Sequence, residues 1–494
     1  MAAVLGAWLT AWLIEAQAGI GPGGVVLAVV LSLTLSRTAR RAGHHAVPAW
    51  ARACALPLIA VLAWQVGRLI KDHPTVGDVA FVLVLSGAVW VRRYGARWSA
   101  VGTVVSLPFI ALLATPAVVA SPDQASGAQW LWPAVFGLVA LAWVSLVRYA
   151  AERSGFVAPT TPAPEVRRPA ARARKVRVPA SSRMALQLGV ALGLSFALGR
   201  WLFPEHWSWV VMSCYVVCSG NRGRGDVAHK GVQRLLGALM GTASATLVSS
   251  LFPAGERWAL VLLFVVMAVA TWARERSYGY WAAGVTAMLA LLYGYFGENG
   301  TDQLGQRLLG VLLGAAVAVA VSWFLLPVRS GDVFRRRWAD ALAALSGYLG
   351  ALLEDGGAHE REQAWQVFDH GVRQLREIEP AYRFHRRTVH LGRRTTHPAD
   401  LVAGIVEVRD ALDRLPLGEP GQPAAGHRRE IGAWARRTGQ MRKRMRPDGT
   451  DAEGSDMPDG DEELDGDPWL QASVVLTRLD ARFTREIWKE LGGS

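Results

Sequence analysis

Cysteine is nearly absent from this chain, with three in 494 residues (Cys54, Cys214 and Cys218), too few for a disulfide framework. Charge is scarce too: 19% of residues are charged against 51% hydrophobic, before the 51 glycines are counted. That balance excludes a disordered chain and argues against a single soluble globule. Residues 1–14 carry no charged side chain, so the basic start of a cleaved signal is missing and the first apolar stretch reads as a retained span. The chain has no GxxxxGK[ST] phosphate loop, no GxSxG elbow and no HExxH pair. Nothing supports enzymatic chemistry, so no catalytic residue, cofactor or metal is assigned. Cys214 and Cys218 share a helical face, but without an adjacent His or acid they read as small buried side chains; His385 and His390 give no metal signature.

What the chain does have is apolar sequence in blocks. Stretches fall at about 2–19, 22–36, 53–70, 77–91, 99–120 and 129–148, then at about 184–203, 207–220, 234–252, 257–273, 279–296 and 306–327. Most are long enough to cross a hydrocarbon core of about 30 Å as helices. The expected fold is therefore an all-α membrane protein of about twelve transmembrane helices. Its first half is 1–150, a basic Pro/Ala-rich linker is 151–183, and its second half is 184–329. Residues 330–494 change character. Phe334, Trp338, Leu342, Leu345, Leu349 and Leu352 recur at helical spacing, and amphipathic stretches follow at about 358–391, 399–414, 425–446 and 468–491. These predict a cytoplasmic helical domain, with an acidic disordered loop at 449–467.

The net charge of +13 does not point to nucleic acid, because most basic residues flank apolar stretches. One set of alternate loops holds Arg37, Arg40, Arg41, Arg52, Arg92, Arg93, Arg97, Arg222, Arg224, Lys230, Arg234, Arg274 and Arg276; the other holds only Arg68, Lys71, Arg200, Arg257 and Arg307. The positive-inside rule then places both termini and the linker in the cytoplasm of a cell whose inner (plasma) membrane holds the chain as a multi-pass protein. Tryptophan, 21 residues against 14 Phe, suits the boundary layers. Trp130, Trp132, Trp201, Trp207 and Trp258 would form the outer belt, and Trp90, Trp98, Trp272 and Trp281 the inner one.

A faint repeat with a period near 183 aligns Trp98-Ser-Ala-Val-Gly-Thr with Trp281-Ala-Ala-Gly-Val-Thr, and Arg52 with Arg234. Six spans per half give both halves one orientation, so the layout is two parallel six-helix repeats. A shorter phrase recurs within the second half: Gln233-Arg-Leu-Leu-Gly-Ala-Leu-Met-Gly241 and Gln306-Arg-Leu-Leu-Gly-Val-Leu-Leu-Gly314. Gly237 with Gly241, and Gly310 with Gly314, lie at i, i+4, a spacing that lets helix backbones approach closely in lipid. Arg234 and Arg307 are then either snorkelling anchors or functional groups.

The stretch Phe203-Pro-Glu-His-Trp-Ser-Trp209, the loop Asn221-Arg-Gly-Arg-Gly225, the two QRLLGxLxG phrases and the closing Leu325-Leu-Pro-Val-Arg329 resemble the fusaric acid resistance protein-like (FUSC) family of integral membrane transporters. The resemblance covers about 184–329; in the first half Ala51-Arg-Ala-Cys-Ala55 stands where the second has QRLLG. It implies efflux of aromatic carboxylic acids, with plant malate-transporting channels as distant relatives.

Two runs, Val25 to Leu35 and Trp209 to Ser219, are short for a span, and paired short segments point to a transporter's binding site. Around the second, the expected substrate pathway comprises Arg222, Arg224, Arg234, Trp207, Trp209, Tyr215 and Asn221. Glu15 and Arg200, at roughly equivalent points of the repeat, are either an intramembrane charge pair or proton site, or interfacial and hydrated. The expected partners are membrane lipid and a small organic anion, with a homo-oligomer left open. A passive anion channel and a non-transporting scaffold are the rival readings.

Overall fold

A computed structural model describes residues 1–18, 23–41, 49–114, 131–155, 179–220, 222–249, 257–274, 276–295, 301–354, 357–389, 397–416, 427–445 and 467–483. Among these residues the regular structure is helical throughout, with no strand. The chain divides into two compact units. The first takes Met1–Pro162, Lys175–Asn221 and Val227–Pro327; the second takes Ala163–Arg174, Arg222–Asp226 and Val328–Ser494.

In the first unit every apolar run becomes a helix: α1 (Ala2–Ala18), α2 (Gly23–Arg41), α3 (Ala49–Asp72), α4 (Pro74–Trp90), α5 (Ala96–Ala114), α6 (Trp132–Arg153), α7 (Ala180–Leu202), α8 (Trp207–Cys218), α9 (Arg224–Ser249), α10 (Arg257–Ala273), α11 (Tyr278–Tyr295) and α12 (Thr301–Phe324). Among the described residues, four segments are long and apolar enough to cross a membrane: Pro74–Tyr94, Trp132–Arg153, Ala180–Leu202 and Gly305–Phe324. Ala2–Ala18, Trp98–Ile110, Trp207–Cys218, Trp258–Ala273 and Tyr278–Leu292 are apolar but shorter. Large apolar side chains point outward in helical stripes, such as Leu58 and Leu62 on α3, Val79 and Leu83 on α4, and Val261, Val265 and Val269 on α10. Water does not tolerate such contiguous stripes, whereas lipid does. This is a membrane protein.

Local chemistry sets the helix ends. Pro74 opens α4 at a position where its missing N–H is no loss. A 3₁₀ turn, Val91–Tyr94, extends α4 until Gly95 leaves the helix at φ 114°. The expected shortness of the Val25–Leu35 run is corrected: α2 has 19 residues, because the helix continues through Ser36 to Arg41 after the apolar sequence stops. Helix α8 is short, at 12 residues. It is closed by Ser219 in extended conformation and by Gly220 at φ 65°, and Lys230 Nζ donates to the carbonyls of Ser219 and Gly220 at 3.3 and 3.2 Å. Where α12 ends, Leu326 is held at φ 45° before Pro327, and Gln187 of α7 donates to the Leu325 and Leu326 carbonyls.

Packing pairs α1 with α2 and α6, α2 with α6, and α4 with α5; it also pairs α7 with α8 and α12, α8 with α12, and α10 with α11. Glycine permits the tightest of these contacts. A Cβ on Gly102 would lie 2.1 Å from the Ala88 carbonyl oxygen, and one on Gly284 would lie 2.2 Å from Ala270 Cβ. The first contact joins α5 to α4 and the second joins α11 to α10.

The second unit holds α13 (Ser330–Leu353), α14 (Ala358–Arg376), α15 (Glu379–Val389), α16 (Pro398–Asp413), α17 (Arg428–Arg444) and α18 (Pro468–Arg482). Its core is built around Phe334, Trp338, Leu345, Phe368, Ile405 and Trp434. The stretch expected at 358–391 is two helices. Asp467 caps α18 by accepting from the Trp469 N–H at 2.9 Å, so it belongs to a helix start rather than to the acidic loop. Most of that loop and most of the 151–183 linker lie outside the described residues.

Candidate functional site

The two QRLLGxLxG phrases pack alike against different partners. On α9, a Cβ at Gly237 would come 2.7 Å from Ala282 Cβ, and one at Gly241 would come 2.3 Å from the Ala283 carbonyl oxygen. On α12, a Cβ at Gly310 would sit 3.5 Å from Trp209 Cβ, and one at Gly314 would sit 2.2 Å from the Val210 carbonyl oxygen. Helix α9 is therefore pressed onto α11, and α12 onto α8, by backbone-to-backbone contact at their glycines.

Each phrase's arginine follows its glycines inward. Arg234 and Arg307 are 4% and 5% exposed, so neither snorkels to a boundary. They reach the same residue. Arg234 Nη1 donates to Thr286 Oγ1 at 3.1 Å, and Arg307 Nη2 donates to the Thr286 carbonyl oxygen at 3.2 Å. Arg234 lies ten residues into α9, Thr286 eight into α11 and Arg307 six into α12. At 1.5 Å per residue these positions lie about 15, 12 and 9 Å along their helices. Arg307 is also 5.7 Å from the Trp209 ring on α8.

The node leaves a donor unused. Arg234 Nε is buried without a hydrogen-bond partner among the described residues, as is Arg444 Nε in the second unit. Buried polar groups are satisfied far more often than not, and a buried guanidinium needs compensation most of all. Arg234 meets a neutral hydroxyl where a carboxylate would be expected. An anion is the chemistry that would complete it.

Other expected pathway residues fall elsewhere. Trp209 and Tyr215 are buried in α8 and Trp207 begins that helix, while Asn221 lies outside the described residues. Arg222 belongs to the second unit. Its guanidinium bonds the Glu377 carboxylate at 2.9 Å and the Glu377 carbonyl at 2.8 Å, with Arg337 on the same carboxylate at 3.7 Å. Burial, and then the positive charge of Arg222, pull Arg337 below the usual guanidinium range, while Glu377 and Asp226 oppose that shift. The backbone N–H of Arg224 donates to the Val328 carbonyl at 3.1 Å. Arg222 is thus engaged by a carboxylate of its own unit.

Of the alternatives for Glu15 and Arg200, the mutual pair is not the one the structure forms. Arg200, in the last turn of α7, pairs with Asp78 of α4, while Glu15 lies half-buried in α1. Asp78 sits at the edge of an apolar run, where nothing in the sequence separates it from a loop residue. Thr286 was equally hidden, as a neutral side chain within a span.

Residues 190–321 match the sequence model of the fusaric acid resistance protein-like family. A search of curated proteins finds no match. The matched segment runs from within α7 to within α12 and holds Arg200, Arg234, Thr286, Arg307 and both glycine phrases. The chain carries a fusaric acid resistance protein-like domain over residues 190–321.

Proposed function

We propose that this membrane protein is a transporter that exports organic anions, aromatic carboxylates first among them, and that Arg234 and Arg307 hold the anion above Thr286. The observation that carries this reading is the convergence of two buried arginines from a repeated phrase on one threonine, with Arg234 Nε unsatisfied. Forked guanidinium donors match carboxylate geometry.

The wider layout follows the same proposal. Twelve spans in two parallel repeats of six are supported by the recurrence of the α1–α2–α6 and α4–α5 pairings as α7–α8–α12 and α10–α11. The inside-positive orientation is supported by the split of basic residues between the two sets of loops, thirteen against five. Both termini and the second unit are then cytoplasmic. Reporter fusions at Ala125 and Ala170 should report opposite sides of the membrane.

The test of transport is flux of labelled benzoate in proteoliposomes holding the purified full chain. Arg234→Lys keeps the charge but loses the fork, so expression should hold while benzoate flux falls about tenfold or more, the scale of a lost charge-assisted hydrogen bond. Unchanged flux in both Arg234→Lys and Arg307→Lys would remove the arginines from the pathway. Equal flux with and without an imposed proton gradient would favour a passive channel. No flux in the wild type would favour a scaffold.

A further inference from the structure

A second arginine site lies at the far end of α7. Arg200 grips Asp78 with a full fork: Nε meets Oδ2 at 2.6 Å and Nη2 meets Oδ1 at 2.8 Å. The guanidinium carbon is 4.7 Å from the centre of the Trp207 ring. Trp207 is held there from below, because a Cβ on Gly199 would already touch its Cβ and carbonyl at 3.3 Å, and Phe196 lies 5.3 Å from it ring to ring. Arg200, Asp78 and Trp207 therefore bring α7, α4 and the start of α8 to one point.

Three features set this pair apart from a simple clamp. First, the fork already holds a carboxylate in bidentate geometry, which is the arrangement a carboxylate ligand would take. Second, the pair is open on the arginine's side: its side chain is 28% exposed and that of Asp78 is 13%. Third, Trp207 and Trp209 stand two residues apart on α8, one beside Arg200 and the other beside Arg307. One short helix thus supplies an aromatic face to both arginine sites.

We infer that Arg200 and Trp207 form an exchange subsite for aromatic carboxylates, which Asp78 occupies as an internal stand-in until substrate displaces it. The substrate carboxylate takes the fork, its ring lies on Trp207, and the Asp78 carboxylate is released from α7. The inference rests on the transport reading above and adds a second stop on the same route.

The test is benzoate flux by the purified full chain in proteoliposomes, together with the melting temperature of each variant. Asp78→Asn removes the competing carboxylate, so KM for benzoate should fall about tenfold, the scale of a charge-assisted bond no longer broken on binding. Arg200→Lys should raise KM by a similar factor, and in the double variant the lysine effect should dominate. Should Asp78→Asn fold poorly, Trp207→Leu supplies the second arm: it leaves the ion pair in place, and KM should rise for benzoate but not for acetate, which has no ring to stack. A structural clamp gives a different pattern, in which Asp78→Asn and Arg200→Lys lower the melting temperature alike and KM stays put. That pattern, or equal KM changes for benzoate and acetate in Trp207→Leu, would overturn the subsite and leave the transport reading intact. Absence of benzoate flux in the wild type would overturn both.

Discussion

The two units treat a buried arginine in opposite ways. In the second unit Arg444 of α17 meets Asp480 of α18 at 2.8 Å, with side-chain exposures of 10% and 4%. In the membrane unit Arg234 is buried as deeply but donates to the neutral hydroxyl of Thr286, with no carboxylate paired to it among the described residues; the Nε of each arginine is without a hydrogen-bond partner there. The first arrangement is self-contained, because the charge and its counter-charge fold together. The second is open to an outside partner, since burial without a carboxylate leaves part of the desolvation penalty standing.

Removing each arginine's partner should expose this difference, and the largest effect belongs to the closed pair. Asp480→Asn strands a buried guanidinium and should cost the second unit about 3–5 kcal/mol. Thermal unfolding of the full chain followed by near-ultraviolet circular dichroism would record it, and added benzoate should restore nothing. A loss under about 1 kcal/mol would mean that Arg444 is hydrated or paired elsewhere.

Next come the glycines that bring the open site together. Gly314→Leu and Gly241→Leu each drive a side chain into a carbonyl now 2.2 or 2.3 Å from the added Cβ. Overpacking of this kind costs about 1–3 kcal/mol or more, and both variants should lose monodispersity in detergent. Gly193→Ala on α7, where nothing lies within 4 Å of the added carbon, is the control and should behave as wild type. Normal assembly of Gly314→Leu would mean that α8 and α12 are not in contact at that point.

A subtler change separates the two arms of the node. Thr286→Val removes the hydroxyl that Arg234 uses but keeps the carbonyl that Arg307 uses. The membrane unit should lose about 1–3 kcal/mol, the cost of a buried donor left unsatisfied. Here benzoate should restore melting temperature, because an anion can supply what the hydroxyl supplied. Failure of benzoate to stabilise either wild type or Thr286→Val would argue that the node is merely structural.

Much of this architecture was legible in the sequence, for physical reasons that also mark where legibility ended. Apolar blocks predict helices because a buried or lipid-facing backbone must satisfy itself, and each block is helical. The glycine phrases predict close packing, since i, i+4 glycines form one face. Helix length was misjudged at α2 because the end of an apolar run is not the end of a helix: Thr38 and Arg40 carry no signal that stops one. Partners across the fold could not be read either. Arg200 finds Asp78 at a separation of 122 residues, and Arg234 finds Thr286 at 52. Such pairs depend on which helices neighbour one another, and hydropathy does not encode that. Arg222 illustrates the same limit, since its nearness to Arg234 in sequence hid its engagement with Glu377.

The smallest effect concerns a neutral group, and it sharpens the contrast in electrostatic surroundings. Tyr348 in the second unit is pushed up to about 12 by burial, and then by Asp413 and Glu362, with Arg361 opposing. Tyr382 is raised as well, by burial alone. Tyr348 thus sits near acidic groups, whereas the membrane node gathers cationic ones. An unfolded tyrosine titrates near 10. Below that pH both states keep the proton and the stability of this unit is intact. Between about 10 and 12 the unfolded chain releases a proton that folded Tyr348 retains, so stability falls as pH rises through that window. Tyr348→Phe keeps the ring beside Trp365, now 5.0 Å away between centroids, and removes the titration. Its melting temperature near pH 8 should match wild type, and its loss of stability near pH 11 should be smaller, with part of the loss remaining from Tyr382. An alkaline loss identical to wild type would place the titrating group elsewhere.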